Sequence, residues 1–82
     1  MIRILYFGRL SDVAGRRDET IALPENIDNL SGLKNWLNEA HGLEDALADP
    51  SIKTMINQSL VHGDLTLKGD EEIGFLPPVG GG

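Results

Sequence analysis

Glu72-Ile73-Gly74-Phe75-Leu76-Pro77-Pro78-Val79-Gly80-Gly81-Gly82 closes the chain, and its reading decides what kind of domain this is. Glu72 to Leu76 is a short, mostly apolar run of strand type that leads straight into two prolines and a glycine-rich end. Proline fixes its own φ and keeps the residue before it out of the helical region, so the chain after Leu76 reads as extended. Glycine has no Cβ, so the last three residues are narrow enough to thread a slot that excludes side chains. From Pro77 onward an extended tail reaches roughly 20 Å at about 3.3 Å per residue. What it delivers is one chemical group, the α-carboxylate of Gly82. Frayed ends and appended sequences are also rich in small residues. Neither accounts for a strand that runs directly into the prolines. The expectation is a folded unit over 1–76 and a flexible working tail over 77–82.

Upstream of that strand the chain alternates short apolar runs with turn residues. Ile52 to Ile56 reads as a strand, Asn57-Gln58 as its turn, and Ser59 to Val61 as the return. Gly63-Asp64 and Lys68-Gly69-Asp70 mark further turns. Ile27, Leu30, Leu33, Leu37 and Ala40 recur at three and four residues, which predicts one long helix with a single apolar stripe and Trp36 beside it. Asn26 or Asp28 is placed to cap it, Gly42 to end it, and His41 in its last turn favours the dipole. Gly32 weakens the helix, so packing rather than propensity must hold it. Leu43 to Ala48 predicts one more helical turn before Pro50.

At the other end Ile2 to Phe7 is β-branched and aromatic. Ile2, Ile4 and Tyr6 share one face, and Arg3, Leu5 and Phe7 the other. Only Arg3 is polar, which predicts a central strand. A short helix over Leu10 to Ala14 is expected, with Ser11 or Asp12 near its start and Gly15 at its end. Asp18 to Leu23, closed by Pro24, reads as the strand that returns in a loose hairpin. The order is β, β, α, β, β, β with no internal repeat. It predicts an α+β domain, one long helix packed across a mixed sheet of about five strands.

Composition narrows the function. An 82-residue chain buries only about 60–65% of its unfolded surface, which leaves a thin stability margin. There is no cysteine, so no disulfide and no thiolate metal site can form. Sulfur chemistry, if the protein performs any, cannot use a side-chain thiol. Seven basic residues face thirteen acidic ones, a balance that argues against nucleic acid. Arg3, Arg9, Arg16 and Arg17 lie near the start, and the acidic remainder suits either a basic docking surface or plain solvation. No apolar run approaches the roughly 20 residues of a membrane span. The apolar opening is too short for a signal peptide and is interrupted by Arg3, so the expected location is cytoplasmic. His41 and His62 are not at ligand spacing, and no metal site is expected. Asp70-Glu71-Glu72 reads as a solvated turn. Gly80-Gly81-Gly82 precedes no helix and is not a phosphate loop. No Ser-His-Asp set is legible, so the chain by itself carries no catalytic apparatus.

Three segments carry a family resemblance. Met1-Ile2-Arg3-Ile4-Leu5-Tyr6-Phe7, Asn57-Gln58-Ser59-Leu60-Val61, and Gly69 through Gly82 with its Phe75-Leu76-Pro77-Pro78-Val79 approach resemble molybdopterin synthase small subunits of the MoaD type. The resemblance implies a ubiquitin-like β-grasp fold whose first and last strands lie side by side at the sheet centre. It implies that Gly82 is adenylated by a ubiquitin-activating-like enzyme using ATP. A sulfur donor then converts it to a thiocarboxylate, which gives its sulfur to cyclic pyranopterin monophosphate on the way to the molybdenum cofactor. Gly81 and Gly80 would clear the channel of the large subunit, and Val79, Pro78 and Pro77 would direct the tail. Phe7, Leu60 and Phe75 are candidates for an exposed apolar docking patch, with core packing as the competing reading. The implied partners are the large subunit in a heterotetramer, the activating enzyme and the sulfur donor, with no bound cofactor, nucleic acid or membrane. Two positions depart from the family pattern. Gly80 stands where a variable residue is usual. Gly74 replaces a small apolar residue and is expected to loosen the last strand. The same tail chemistry would serve a carrier for thiazole, thionucleoside or cysteine synthesis, although thiazole carriers are shorter and lack the Pro-Pro approach. A protein modifier forming lysine amides and an inert interaction domain are the readings from other classes.

Overall fold

A computed structural model describes residues 1–78. The elements are β1 (Ile2–Tyr6), α1 (Arg9–Ala14), β2 (Asp18–Ile21), α2 (Leu30–His41), a 3₁₀ turn at Ala46–Ala48, β3 (Lys53–Ile56), β4 (Ser59–Val61) and β5 (Glu72–Leu76). They form a five-stranded mixed sheet in the order β2-β1-β5-β3-β4 with α2 packed on one face. This is the α+β, β-grasp arrangement. β1 and β5 run parallel at the centre, with Ile4 opposite Ile73 and Tyr6 opposite Phe75. Parallel neighbours need a long crossover, and everything between them in sequence supplies it.

The core follows from two periodicities that meet. Ile2, Ile4 and Tyr6 of β1 and Ile73 and Phe75 of β5 are buried, as are Leu30, Leu33 and Leu37 of α2. Burying each such side chain contributes roughly 1.5–3 kcal/mol against leaving it exposed. Tyr6 stacks on Phe75 with ring centroids 6.2 Å apart.

Several boundaries differ from the sequence expectation, each for a tertiary reason. β2 stops at Ile21 rather than Leu23 because Ile21 pairs with Ile2, where β1 begins. α2 starts at Leu30, after Asn29, not after Asn26 or Asp28. The preceding residues are held extended by the 65–67 segment. The Leu67 amide donates to the Asp28 carbonyl at 2.8 Å, and the Leu30 amide to the Leu65 carbonyl at 2.9 Å. The Asn29 side chain then accepts from the Gly32 amide at 2.8 Å. A β-carbon on Gly32 would come within 2.8 Å of that Asn29 oxygen, so the glycine that weakens the helix makes room for its cap. Ile27 therefore lies before the helix, and Ala40 is exposed. α2 ends at Gly42 as the sequence suggests, with φ 62°. The expected turn at Leu43 to Ala48 narrows to three residues, because Glu44 and Asp45 take positive φ. The β3–β4 turn at Asn57-Gln58 has φ of 50° and 70°, both positive as a tight two-residue hairpin requires. Among the described residues no helix is long and apolar enough to cross a membrane.

Candidate functional site

α2 covers one face of the sheet and leaves the other open. On the open face, pairing aligns Leu5, Gly74, Met55 and Leu60 in one row across β1, β5, β3 and β4. This row is apolar over these four strands and ends at Asp18 of the edge strand β2, which pairs with Leu5. Gly74 sits in its middle and has no side chain, so a hollow of about 230 Å³ opens between Leu5, Phe7, Met55, Gln58 and Glu72. A second hollow, of about 450 Å³, lies between Leu5, Gly8, Ser11, Arg17 and Asp18. Phe7 lines both. A third, about 220 Å³ beside Lys34, Asp49 and His62, is removed from this row, and its Asp49 carboxylate is already bonded to Ser51.

The sequence-predicted residues divide. Phe7 is 41% exposed and Leu60 58%, both on the open face. Phe75 is fully buried and cannot belong to an exposed patch. Strand alternation turns it toward α2, where it stacks on Tyr6. Gly74 does not loosen β5. It is paired on both sides, with Leu5 and with Met55, and it is covered by the Phe7 ring. Pro77 rests against Gly8, and Pro78 is exposed. Val79, Gly80, Gly81 and Gly82 lie outside the described residues. Leu5 and Met55 were missed as members of the face. The period-two pattern of β1 already puts Leu5 beside Phe7, but only the sheet order brings Met55 to them.

Two polar clusters brace this platform. The half-buried Glu19 carboxylate of β2 accepts the Tyr6 hydroxyl at 2.8 Å and lies 2.7 Å from His41 Nε2 and 3.5 Å from Arg16. It ties β1, β2 and the end of α2 together. Burial, reinforced by the bond to Glu19, pushes the Tyr6 phenol far above its usual range and keeps it a proton donor. His41, in the last turn of α2 as expected, therefore has a carboxylate partner that its spacing in sequence does not reveal. His62 is exposed. Among the described residues no group of three His, Asp or Glu is placed to hold a metal ion.

The turn before β5 is also not simply solvated. Glu71 is only 8% exposed, and its carboxylate accepts the amides of Lys68, Gly69 and Asp70 at 2.7, 2.9 and 3.1 Å. Burial pushes this carboxyl up, but the backbone amides together outweigh it and hold it below the usual range. A turn whose amides all point inward at one carboxylate fixes where β5 starts. Because β5 is five residues long, it also fixes where the tail begins.

Comparison with known proteins matches this geometry. The model of the ThiS family matches residues 4–82. The human molybdopterin synthase sulfur carrier subunit is 31% identical over 83 aligned positions, which cover 99% of this chain and 93% of that protein. A Pyrococcus furiosus structure, named provisionally as molybdopterin converting factor, subunit 1, superposes with a TM-score of 0.76 at 26% identity. It covers 95% of this chain and 97% of its own. SAMP1 from Haloferax volcanii shares the fold with a TM-score of 0.79 at 20% identity, over 99% and 98% of the two chains.

Proposed function

The chain belongs to the ThiS family, and on that premise we propose that it is the sulfur-carrier small subunit of a molybdopterin synthase. The observation that carries this reading is the origin of the tail. It leaves from β5, a central strand bonded on both sides, beside an open apolar face. A tail on such a base can be presented to a partner in one direction while the face docks.

The chemistry follows from the group delivered. A carboxylate is a poor electrophile, because attack on it would expel oxide. A Gly82 oxygen attacks the α-phosphorus of ATP on the activating enzyme, and pyrophosphate leaves. The acyl-adenylate now carries a good leaving group, and sulfur from the donor displaces AMP to leave a C-terminal thiocarboxylate. That sulfur is nucleophilic at neutral pH, as a thiolate is. In the large subunit it attacks a carbon of cyclic pyranopterin monophosphate, and as the C–S bond forms a C–O bond at that carbon breaks, the oxygen leaving with phosphate or as water. Water then cleaves the bond between sulfur and the Gly82 carbonyl carbon and restores the carboxylate. Two such transfers build the dithiolene. The absence of cysteine fits this use of the terminus. Gly80 and Gly81 pass the channel, and Pro77, Pro78 and Val79 direct the chain into it. Phe7 and Leu60, with Leu5 and Met55, dock the large subunit. The working complex is a heterotetramer in the cytoplasm, and this chain is its non-catalytic sulfur-donor half.

The test is the mass of the C-terminal peptide after incubation with ATP, a cognate activating enzyme and a sulfur source. Exchange of one oxygen for sulfur at Gly82, dependent on ATP, is the expected result. The change must be localised to that peptide, because sulfoxide at Met1 or Met55 nearly matches it in intact mass. An unchanged carboxylate with a competent activating enzyme overturns the proposal. A lysine adduct through Gly82 would assign a modifier instead.

A further inference from the structure

β1 and β5 run parallel and end at the same side of the sheet. Beyond the paired residues the Phe7 amide still donates to the Phe75 carbonyl at 3.1 Å. Each strand then lays a ring on a glycine of the other. The Phe7 ring lies over Gly74, where a β-carbon would come within 2.9 Å of Phe7 Cε2. The Pro77 ring lies over Gly8, where a β-carbon would come within 3.0 Å of Pro77 Cγ. Both glycines are held in place. Gly74 is paired with a strand on each side. Gly8 has φ 55° and ψ −137°, a conformation open essentially to glycine alone. Its carbonyl accepts both the Ser11 amide at 3.1 Å and the Ser11 hydroxyl at 2.8 Å, which anchors it to the first turn of α1.

We propose that these two ring-on-glycine contacts act as one clasp that sets where the tail leaves the domain, making Gly8 and Gly74 positioning residues for sulfur delivery from Gly82. The inference rests on the reading of the tail as a sulfur carrier. Phe7 and Gly8 are consecutive, so a ring displaced from Gly74 turns the peptide on which Pro77 sits. Pro77 packs on Gly8 at the start of the tail, so a displaced Pro77 shifts the point from which Gly82 is presented. Misplacing a reacting group by about 1 Å can cost on the order of 100-fold in rate. The same contact gives the exposed Phe7 ring a floor on the paired β5 backbone.

The test uses Gly74→Ala and Pro77→Ala. A Gly8→Ala variant strains its backbone at φ 55° and confounds folding with positioning, whereas these two leave ordinary backbone angles in place. In the free, isotope-labelled carrier, the nuclear Overhauser contact between the Pro77 ring and the Gly8 α-protons is expected in the wild type and at least halved in Gly74→Ala. An unchanged contact in Gly74→Ala overturns the coupling. With thiocarboxylated carrier and saturating large subunit, each single variant is expected to slow single-turnover sulfur transfer by about tenfold, with melting temperatures within a few degrees of the wild type. The double variant is expected to be no slower than the slower single one, as for two parts of one device. A single variant at the wild-type rate, or effects that multiply in the double variant, overturns the clasp. A wild-type carrier that transfers no sulfur overturns the functional reading instead, and the proton contacts still decide the clasp.

Discussion

From Glu71 to Leu76, odd- and even-numbered residues lie on opposite sides of one strand and serve opposite purposes. Glu71, Ile73 and Phe75 face the covered side and are buried at 8, 0 and 0% exposure. Glu72, Gly74 and Leu76 face the open side, where the Phe7 ring and Met55 lie over Gly74. The covered side fixes the strand in place and in register. The open side keeps apolar surface uncovered at a cost that only a partner can recover. A terminal strand is well suited to this division, since alternation is strict and the tail inherits its direction from residues that carry no recognition of their own.

The comparison breaks hardest at Phe75. Replacing it with alanine should cost about 3–5 kcal/mol, most of the stability of a domain this small. Urea unfolding measures it, and a loss under about 1 kcal/mol would return Phe75 to the open face. Glu71→Gln keeps the shape but removes the charge that three backbone amides address. A loss of about 1–2 kcal/mol at pH 7 is expected. The sign with pH is definite. The folded carboxyl titrates below its ordinary value of 4.5. Its stabilisation is therefore complete above that value and disappears as pH falls through the lower, folded one. The gap in urea midpoint between wild type and variant should be constant near neutrality and close in acid. A gap that persists at the acid end would show that packing, not charge, is what Glu71 provides. The smallest stability effect belongs to the open side. Leu60→Ser should change stability by less than about 0.5 kcal/mol and weaken binding to the large subunit by about tenfold. Calorimetric titration checks it, and unchanged affinity would remove β4 from the docking surface.

Much of this was legible without coordinates. β5 matches its expected bounds, Gly15 and Gly42 end their helices, and Asn57-Gln58 makes its turn. Those features depend on residues a few positions apart. Two misreadings involve partners distant in sequence, and a third, Glu71, bonds the amides of Lys68, Gly69 and Asp70 in its own turn. Phe75 looked available for docking because an apolar residue in a central strand carries no mark of which face is covered. Glu71 looked solvated because three acidic residues beside a glycine normally are. His41 looked isolated because Glu19 lies 22 residues away.

The sequence by itself determined the elements, their order and the absence of any side-chain thiol. Each is a matter of composition or of local backbone preference, and neither changes when the chain folds. Only the tertiary structure decided which apolar residues stay exposed, which carboxylates are buried, and that Phe7 and Pro77 each close on a glycine of the opposite strand. Those outcomes depend on which strands become neighbours. Neighbours are chosen by the joint burial of α2 and the sheet, which no single segment encodes.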